Sequence, residues 1–203
     1  MKETADKIRV LSALEVKLSM EILGVKNWEY FPVLETEDPL EKRVMTAFLH
    51  LVDMGFMRPQ DGGYNKTEQM EQTFSEAKHP DYTLQILKKN SMPMVISGNL
   101  RRAVVFEQIS VQDGMLRVYH SDADWIWSYM KQLPEKVKPG KQVDAGTVRK
   151  KMTDADMIMK LYKENKSNML YIWETREGTV YLKDEETRPK FLDKDTFLQL
   201  LEE

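Results

Sequence analysis

The sequence predicts an α+β protein, with winged-helix-like helices at the N-terminus, then an antiparallel sheet, and a smaller C-terminal helix-hairpin-helix unit packed on it. Three observations carry that class. Apolar residues recur at helical spacing behind capping residues as far as residue 78. Past Pro80 the period falls toward two. A stretch with two prolines and two glycines, at 134–151, then sets off the last fifty residues.

The elements follow in chain order. Ser12-Ala13-Leu14-Glu15 is a capping box, in which the serine oxygen accepts the Glu15 amide and the carboxylate reaches back, so a helix is expected over 12–24 with Leu14, Leu18 and Ile22 on one stripe and Gly24 as its stop. The piece at 28–33 contains Pro32, which suits an edge strand or an extended loop. A second helix is expected over 38–55: Asp38 caps it, Pro39 takes the first helical position, Glu41 completes another box, and Gly55 ends it. Its stripe is Leu40, Val44, Phe48, Leu51 and Val52. Asp61-Gly62-Gly63 between short extended pieces reads as a hairpin turn, and a third helix occupies 67–78.

Strands are expected from about 81 to 120. Tyr82, Leu84, Ile86 and Lys88 alternate on one face, residues 92–96 form the next run, and 102–110 pairs with 115–119 across Asp113-Gly114. Asp122 or Asp124 caps a helix over 123–133. Together residues 1–134 make the main module. Residues 135–152 read as a linker or exposed loop, and 153–203 as the small C-terminal unit: a helix capped at 153–156 and running through Met157, Ile158, Leu161 and Tyr162, strands at 169–174 and 179–183, and a short helix from about Asp193.

Composition excludes several function classes. A chain of 203 residues, 41% hydrophobic, has enough apolar material for a core and too much for disorder, while no apolar run approaches the roughly 18 residues of a membrane span. With no cysteine there is no disulfide framework, thiolate nucleophile or Cys-containing zinc site. The three histidines, His50, His79 and His120, have no partner visible at metal or catalytic spacing; His120 with Asp122 and Asp124 is the one conceivable cluster, and those acids explain themselves as caps. No Gly-rich phosphate loop is present, since Asp61-Gly62-Gly63 lacks the Lys-Ser/Thr of a Walker loop. The expectation is a non-enzyme without cofactor or metal. The first residues contain no apolar segment like that of a signal peptide, so a cytoplasmic location without membrane association is expected.

The winged-helix outline raises a DNA-binding regulator as an alternative. From 38 to 66 the would-be recognition helix and wing carry four acids and four bases, a balance that displaces few counterions from phosphates, so nucleic acid is disfavoured as a partner. A protein partner fits better. Fourteen methionines suit either gap-filling in a core or adaptable surfaces. Trp125 and Trp127 cannot share one helix face, because neighbours point about 100° apart. Met92, Met94, Trp125 and Trp127 are therefore the candidate partner-binding residues, and self-association stays open.

The order of signals resembles a known family. Leu11-Ser12-Ala13-Leu14-Glu15 opens a helix ending Leu23-Gly24-Val25, a proline-bearing piece follows, and a capped helix ends Leu51-Val52-Asp53-Met54-Gly55-Phe56. Then come Ala77-Lys78-His79-Pro80, the strand Tyr82-Thr83-Leu84-Gln85-Ile86, Arg102-Ala103-Val104-Val105, Gly114-Met115-Leu116-Arg117-Val118 and a helix ending Leu133-Pro134. Over residues 8–134 this pattern resembles the EspG-type chaperones of ESX (type VII) secretion. The resemblance implies an α+β fold with a central antiparallel sheet and two quasi-related halves, and a non-catalytic cytosolic protein that binds secreted effectors. The second half here is shorter than theirs, so no binding residue is carried over and the client is left unnamed.

Overall fold

The computed structural model describes residues 8–26, 28–131, 154–163, 166–175, 177–184, 186 and 188–202. In chain order the elements are β1 (Arg9–Ser12), α1 (Ala13–Ile22), α2 (Leu40–Asp53), β2 (Met57–Gln60), β3 (Gly63–Lys66), α3 (Glu68–Lys78), β4 (Tyr82–Lys88), β5 (Met94–Gly98), β6 (Ala103–Ser110) and β7 (Met115–Ser121). They continue with α4 (Ala123–Lys131), β8 (Met157–Lys163), β9 (Lys166–Thr175), β10 (Gly178–Lys183), β11 (Lys190–Phe191) and α5 (Lys194–Glu202). The class is α+β, with nine strands in antiparallel sheet and β2–β3 as a separate hairpin. No helix among the described residues is long and apolar enough to cross a membrane.

Two compact units divide the chain: residues Met1–His79 with Val104–His120, and residues Pro80–Ala103 with Ser121–Glu203. The expected boundary near residue 134 is not one of the division points. The expected linker at 135–152 lies outside the described residues, as do 132 and 133 at the end of the expected fourth helix.

In the first unit the strand order is β1-β7-β6. Four residues suffice for β1 because Leu11 opposes Leu116 in register and both are fully buried. The sequence reading missed this strand. At its end Ser12 turns directly into α1, and the predicted capping box forms, the Glu15 amide donating to Ser12 Oγ at 3.2 Å and the Ser12 amide to Glu15 Oε2 at 2.7 Å. The helix stops at Gly24, whose φ of +84° a residue with a Cβ would resist. The piece at 28–33 is an extended loop, and it delivers Trp28 and Phe31 to the core. There Phe74 stacks on Phe106 with centroids 6.2 Å apart, Trp28 lies 5.0 Å from Phe106, and Phe56 meets Phe74 edge-on at 5.8 Å. The α3 cap is Thr67, which accepts from the Met70 amide.

The start of α2 differs from expectation. Pro39 itself is the N-cap, in extended conformation, and no side chain caps the helix, so neither the Asp38 cap nor the Glu41 box forms. A proline with ψ of 142° cannot begin the helical run, which shifts the first turn one residue on and leaves Asp38 to accept from Lys42 at 2.7 Å.

In the second unit the strand order is β5-β4-β8-β9-β10-β11. Here the structure corrects the sequence reading most. Residues Met157–Lys163, expected to be helical, are β8, paired antiparallel with β4 on one side and β9 on the other. Met157, Met159 and Leu161 are buried while Ile158, Lys160 and Tyr162 are half-buried, an alternation of period two. Asp156, expected as a helix cap, instead accepts the Glu174 amide at 3.0 Å and donates its own amide to Ile172. The C-terminal quarter is therefore a run of strands joined to β4, not a helix-hairpin-helix. The cap expected for α4 forms, Asp122 accepting the Trp125 amide at 2.8 Å, and the short helix expected from about Asp193 is α5, capped by that residue, which accepts the Thr196 amide at 2.8 Å. That hydrogen bonding from Thr196 also lowers the Asp193 pKa.

Candidate functional site

Helix α2 carries more apolar surface than its unit buries. At 100° per residue, Ala47, Leu51, Val44 and Phe48 lead round to Val52, Met45 and Leu49, an arc spanning more than half the helix. Only Ala47 and Leu51 are buried, whereas Leu40, Met45 and Leu49 are 62, 59 and 50% exposed. Met45, Leu49 and Val52 follow the spacing that lines up side chains on one helix face. The hairpin extends this surface: Phe48 meets the exposed Tyr64 ring edge-on, centroids 5.0 Å apart. Together these residues form a contiguous apolar face of the kind that marks an interaction surface.

The scaffold behind the face is tied down by polar contacts. His50 Nδ1 lies 2.5 Å from Glu15 Oε1. The C-terminal end of α2 is held from α3, where Gln69 Nε2 donates to the Met54 carbonyl at 2.9 Å and Thr67 Oγ1 to the Gly55 carbonyl at 2.7 Å. Arg43 donates to the Leu34 carbonyl. A rigid backing of this sort holds the exposed side chains in one arrangement, which lowers the entropy lost on docking.

The residues expected to bind a partner are placed differently. Met94 is 1% exposed within β5, so it belongs to the core, and Met92 is exposed in the turn before it. Trp125 and Trp127 are half-buried on separate faces of α4, and each is engaged within its own unit: Trp125 stacks on Tyr129 at 5.4 Å and Trp127 on Phe197 at 5.7 Å, with Lys131 Nζ 5.2 Å from the Trp127 ring. Met45 and Leu49, exposed on one side of α2, and Tyr64, whose ring meets Phe48 of the same helix, were passed over, although the excess width of the α2 apolar arc is visible in the sequence.

Two histidines have partners the sequence did not show. Besides His50, His120 places Nε2 3.2 Å from Glu76 Oε2, with both side chains largely buried. Asp122 and Asp124, once grouped with His120, cap α4 and pair with Lys194 at 2.8 Å respectively. Among the described residues no three His, Asp or Glu side chains are grouped so as to hold a metal ion.

Among its described residues the second unit buries one cation. Lys88, 5% exposed on β4, donates to the Tyr129 carbonyl and places Nζ 3.9 Å from the centre of the Tyr129 ring. Burial pushes its pKa down to about 8, against the opposing pull of the Glu174 carboxylate. In the same unit burial, with the charges of Asp81 and Asp122, raises the Tyr82 phenol well above its ordinary value. Both groups are locked in the fold by their own hydrogen bonds, Tyr82 donating to the Asn99 carbonyl at 3.2 Å.

Compared with protein-family models and with curated proteins, the chain finds no match.

Proposed function

We propose that this protein is a non-enzymatic protein-binding module, acting as a secretion chaperone or adaptor for a secreted effector, and that it holds its partner on the exposed apolar face of α2 and the β2–β3 hairpin. The observation that carries the reading is the exposure of Met45 and Leu49 on a helix whose Phe48 meets the exposed Tyr64 ring and whose other edge is anchored. Exposed apolar and aromatic side chains of this kind serve as anchors in protein interfaces. The same face weighs against the DNA-binding alternative: a helix that meets phosphates concentrates lysine and arginine outward, whereas here Met45 and Leu49 are exposed beside Lys42, which is paired with Asp38. The resemblance of residues 8–134 to EspG-type chaperones points the same way.

The test is affinity capture from cells that naturally contain the protein, with the wild type and with Leu49→Asp. The expected result is a protein client retained by the wild type and lost by the variant. Retention of nucleic acid alone, together with a salt-sensitive shift of duplex DNA, would replace this reading with the winged-helix regulator.

A further inference from the structure

One cavity in the second unit is lined by opposite charges that do not pair with each other. Its volume is about 670 Å³, within the ~300–1,000 Å³ usual for small-molecule sites. Arg101 and Lys166 bring cations to its lining, and Asp81 and Glu202 bring carboxylates. All four residues are exposed, and among the described residues none of them forms an ion pair. Lys163, opposite Lys166 in the β8–β9 ladder, lines the cavity as well, but it already has an interaction partner.

The four charges are presented from separate pieces of backbone. Asp81 is fixed at the start of β4, its amide donating to the Gly98 carbonyl at 2.9 Å. Arg101 sits in the loop that follows β5, where Asn99 Oδ1 accepts the Arg101 and Arg102 amides, both at 3.0 Å, and the Asn99 amide donates to the Arg102 carbonyl at 2.9 Å. Lys166 opens β9, with β8 between that strand and β4. Glu202 ends α5, where the negative end of the helix dipole adds to its charge and no basic residue stands in the last turn to offset it. Tyr82 and Leu201, both almost fully buried, and the half-buried Leu100 supply apolar surface to the same lining.

Charges of both signs, held apart around one cavity, match a ligand that itself carries both signs at its two ends. We propose that this cavity binds a short peptide of two or three residues with free termini. Its carboxylate takes the Arg101 guanidinium, whose paired N–H groups fit a carboxylate as a lysine does not. Its ammonium goes to Glu202, and its apolar side chains lie against Leu100 and Leu201. A phosphate or other pure anion would meet Asp81 and Glu202 in the same space, and a pure cation would meet Arg101 and Lys166.

The test is calorimetric titration of the full chain at pH 7 and low ionic strength with leucyl-leucine, with its N-acetyl and C-terminal amide forms, and with leucine. Leucyl-leucine is expected to bind, each blocked form to bind about tenfold or more weaker, and leucine, which fills less of the cavity, to bind more weakly as well. Arg101→Gln and Glu202→Gln, both at exposed positions, should each weaken leucyl-leucine by about tenfold while circular dichroism and the melting temperature stay near those of the wild type. Arg101→Gln should leave the affinity of the amide unchanged, and Glu202→Gln that of the N-acetyl form, because the contact each variant removes is already missing there. Absence of leucyl-leucine binding, equally tight binding of either blocked form or of leucine, or undiminished affinity in either variant would overturn the proposal.

Discussion

His50 and Glu15, 35 positions apart, meet with Nδ1 and Oε1 2.5 Å from each other, while the other oxygen of the same carboxylate closes the α1 cap on the Ser12 amide. One buried carboxylate thus starts α1 and fastens α2 to it. Replacing Glu15 with alanine removes both contacts and is expected to cost about 2 kcal/mol, read from urea unfolding. Glu15→Gln, which retains the amide oxygen for the cap, should lose less. An alanine variant as stable as the wild type would show that the pair contributes nothing.

Substitutions on the two sides of α2 should separate binding from folding. Leu49→Asp is expected to change stability by no more than about 0.5 kcal/mol, since half of that side chain already meets water. Leu51→Ala, one turn edge away and fully buried, should cost about 2–5 kcal/mol. Comparable losses at both positions would mean that the outer face is covered within the protein itself.

Gly98 at the end of β5 has no room for a side chain. A Cβ there would stand 2.5 Å from Ala103 Cα and 2.5 Å from the Arg102 carbonyl oxygen, both backbone atoms. Gly98→Ala is expected to lower stability by on the order of 3 kcal/mol, or to prevent accumulation of folded protein. Thermal melting beside the wild type measures it, and an unchanged melting temperature would contradict the close approach.

Lys88 should give the stability an alkaline signature. The unfolded chain holds this proton up to about 10.5, and the folded protein releases it at about 8. Between those values the unfolded state binds more protons, so raising the pH through this window stabilises the fold, and below it the cost of the buried charge is fully present. The difference corresponds to on the order of 3 kcal/mol. Urea midpoints at pH 7 and pH 10 should rise for the wild type relative to Lys88→Met. Parallel behaviour of the two proteins would remove Lys88 as the cause.

Caps and stops were legible in part because they are local. Ser12 with Glu15, Asp122 and the two glycines Gly24 and Gly55 act on residues within four positions and do so here, whereas the equally local Asp38 cap and Glu41 box do not form. Strand β8 was not legible, since Met157, Ile158, Leu161 and Tyr162 fit a helical stripe as well as a strand, and Asp154 and Asp156 imitate a cap. The deciding contact lies about seventy positions away, where β4 pairs with it from Thr83 to Lys88. The exposed apolar face of α2 was half legible: the sequence shows the arc, but which edge packs inward depends on α1 and on the core of its unit. The Lys163–Lys166 pair exists only as a register, which periodicity does not specify.

The chain changes unit three times, after residues 79, 103 and 120. Neither unit is a continuous stretch, so neither can be excised as a cassette or handed between proteins by a single recombination. On the ribosome the first unit waits for residue 120 before β6 and β7 can complete it, and β4 waits for β8, more than seventy residues behind. A fragment ending near residue 134, where composition alone would place a cut, would leave the ladder edge of β4 that β8 covers without its partner and open to other chains.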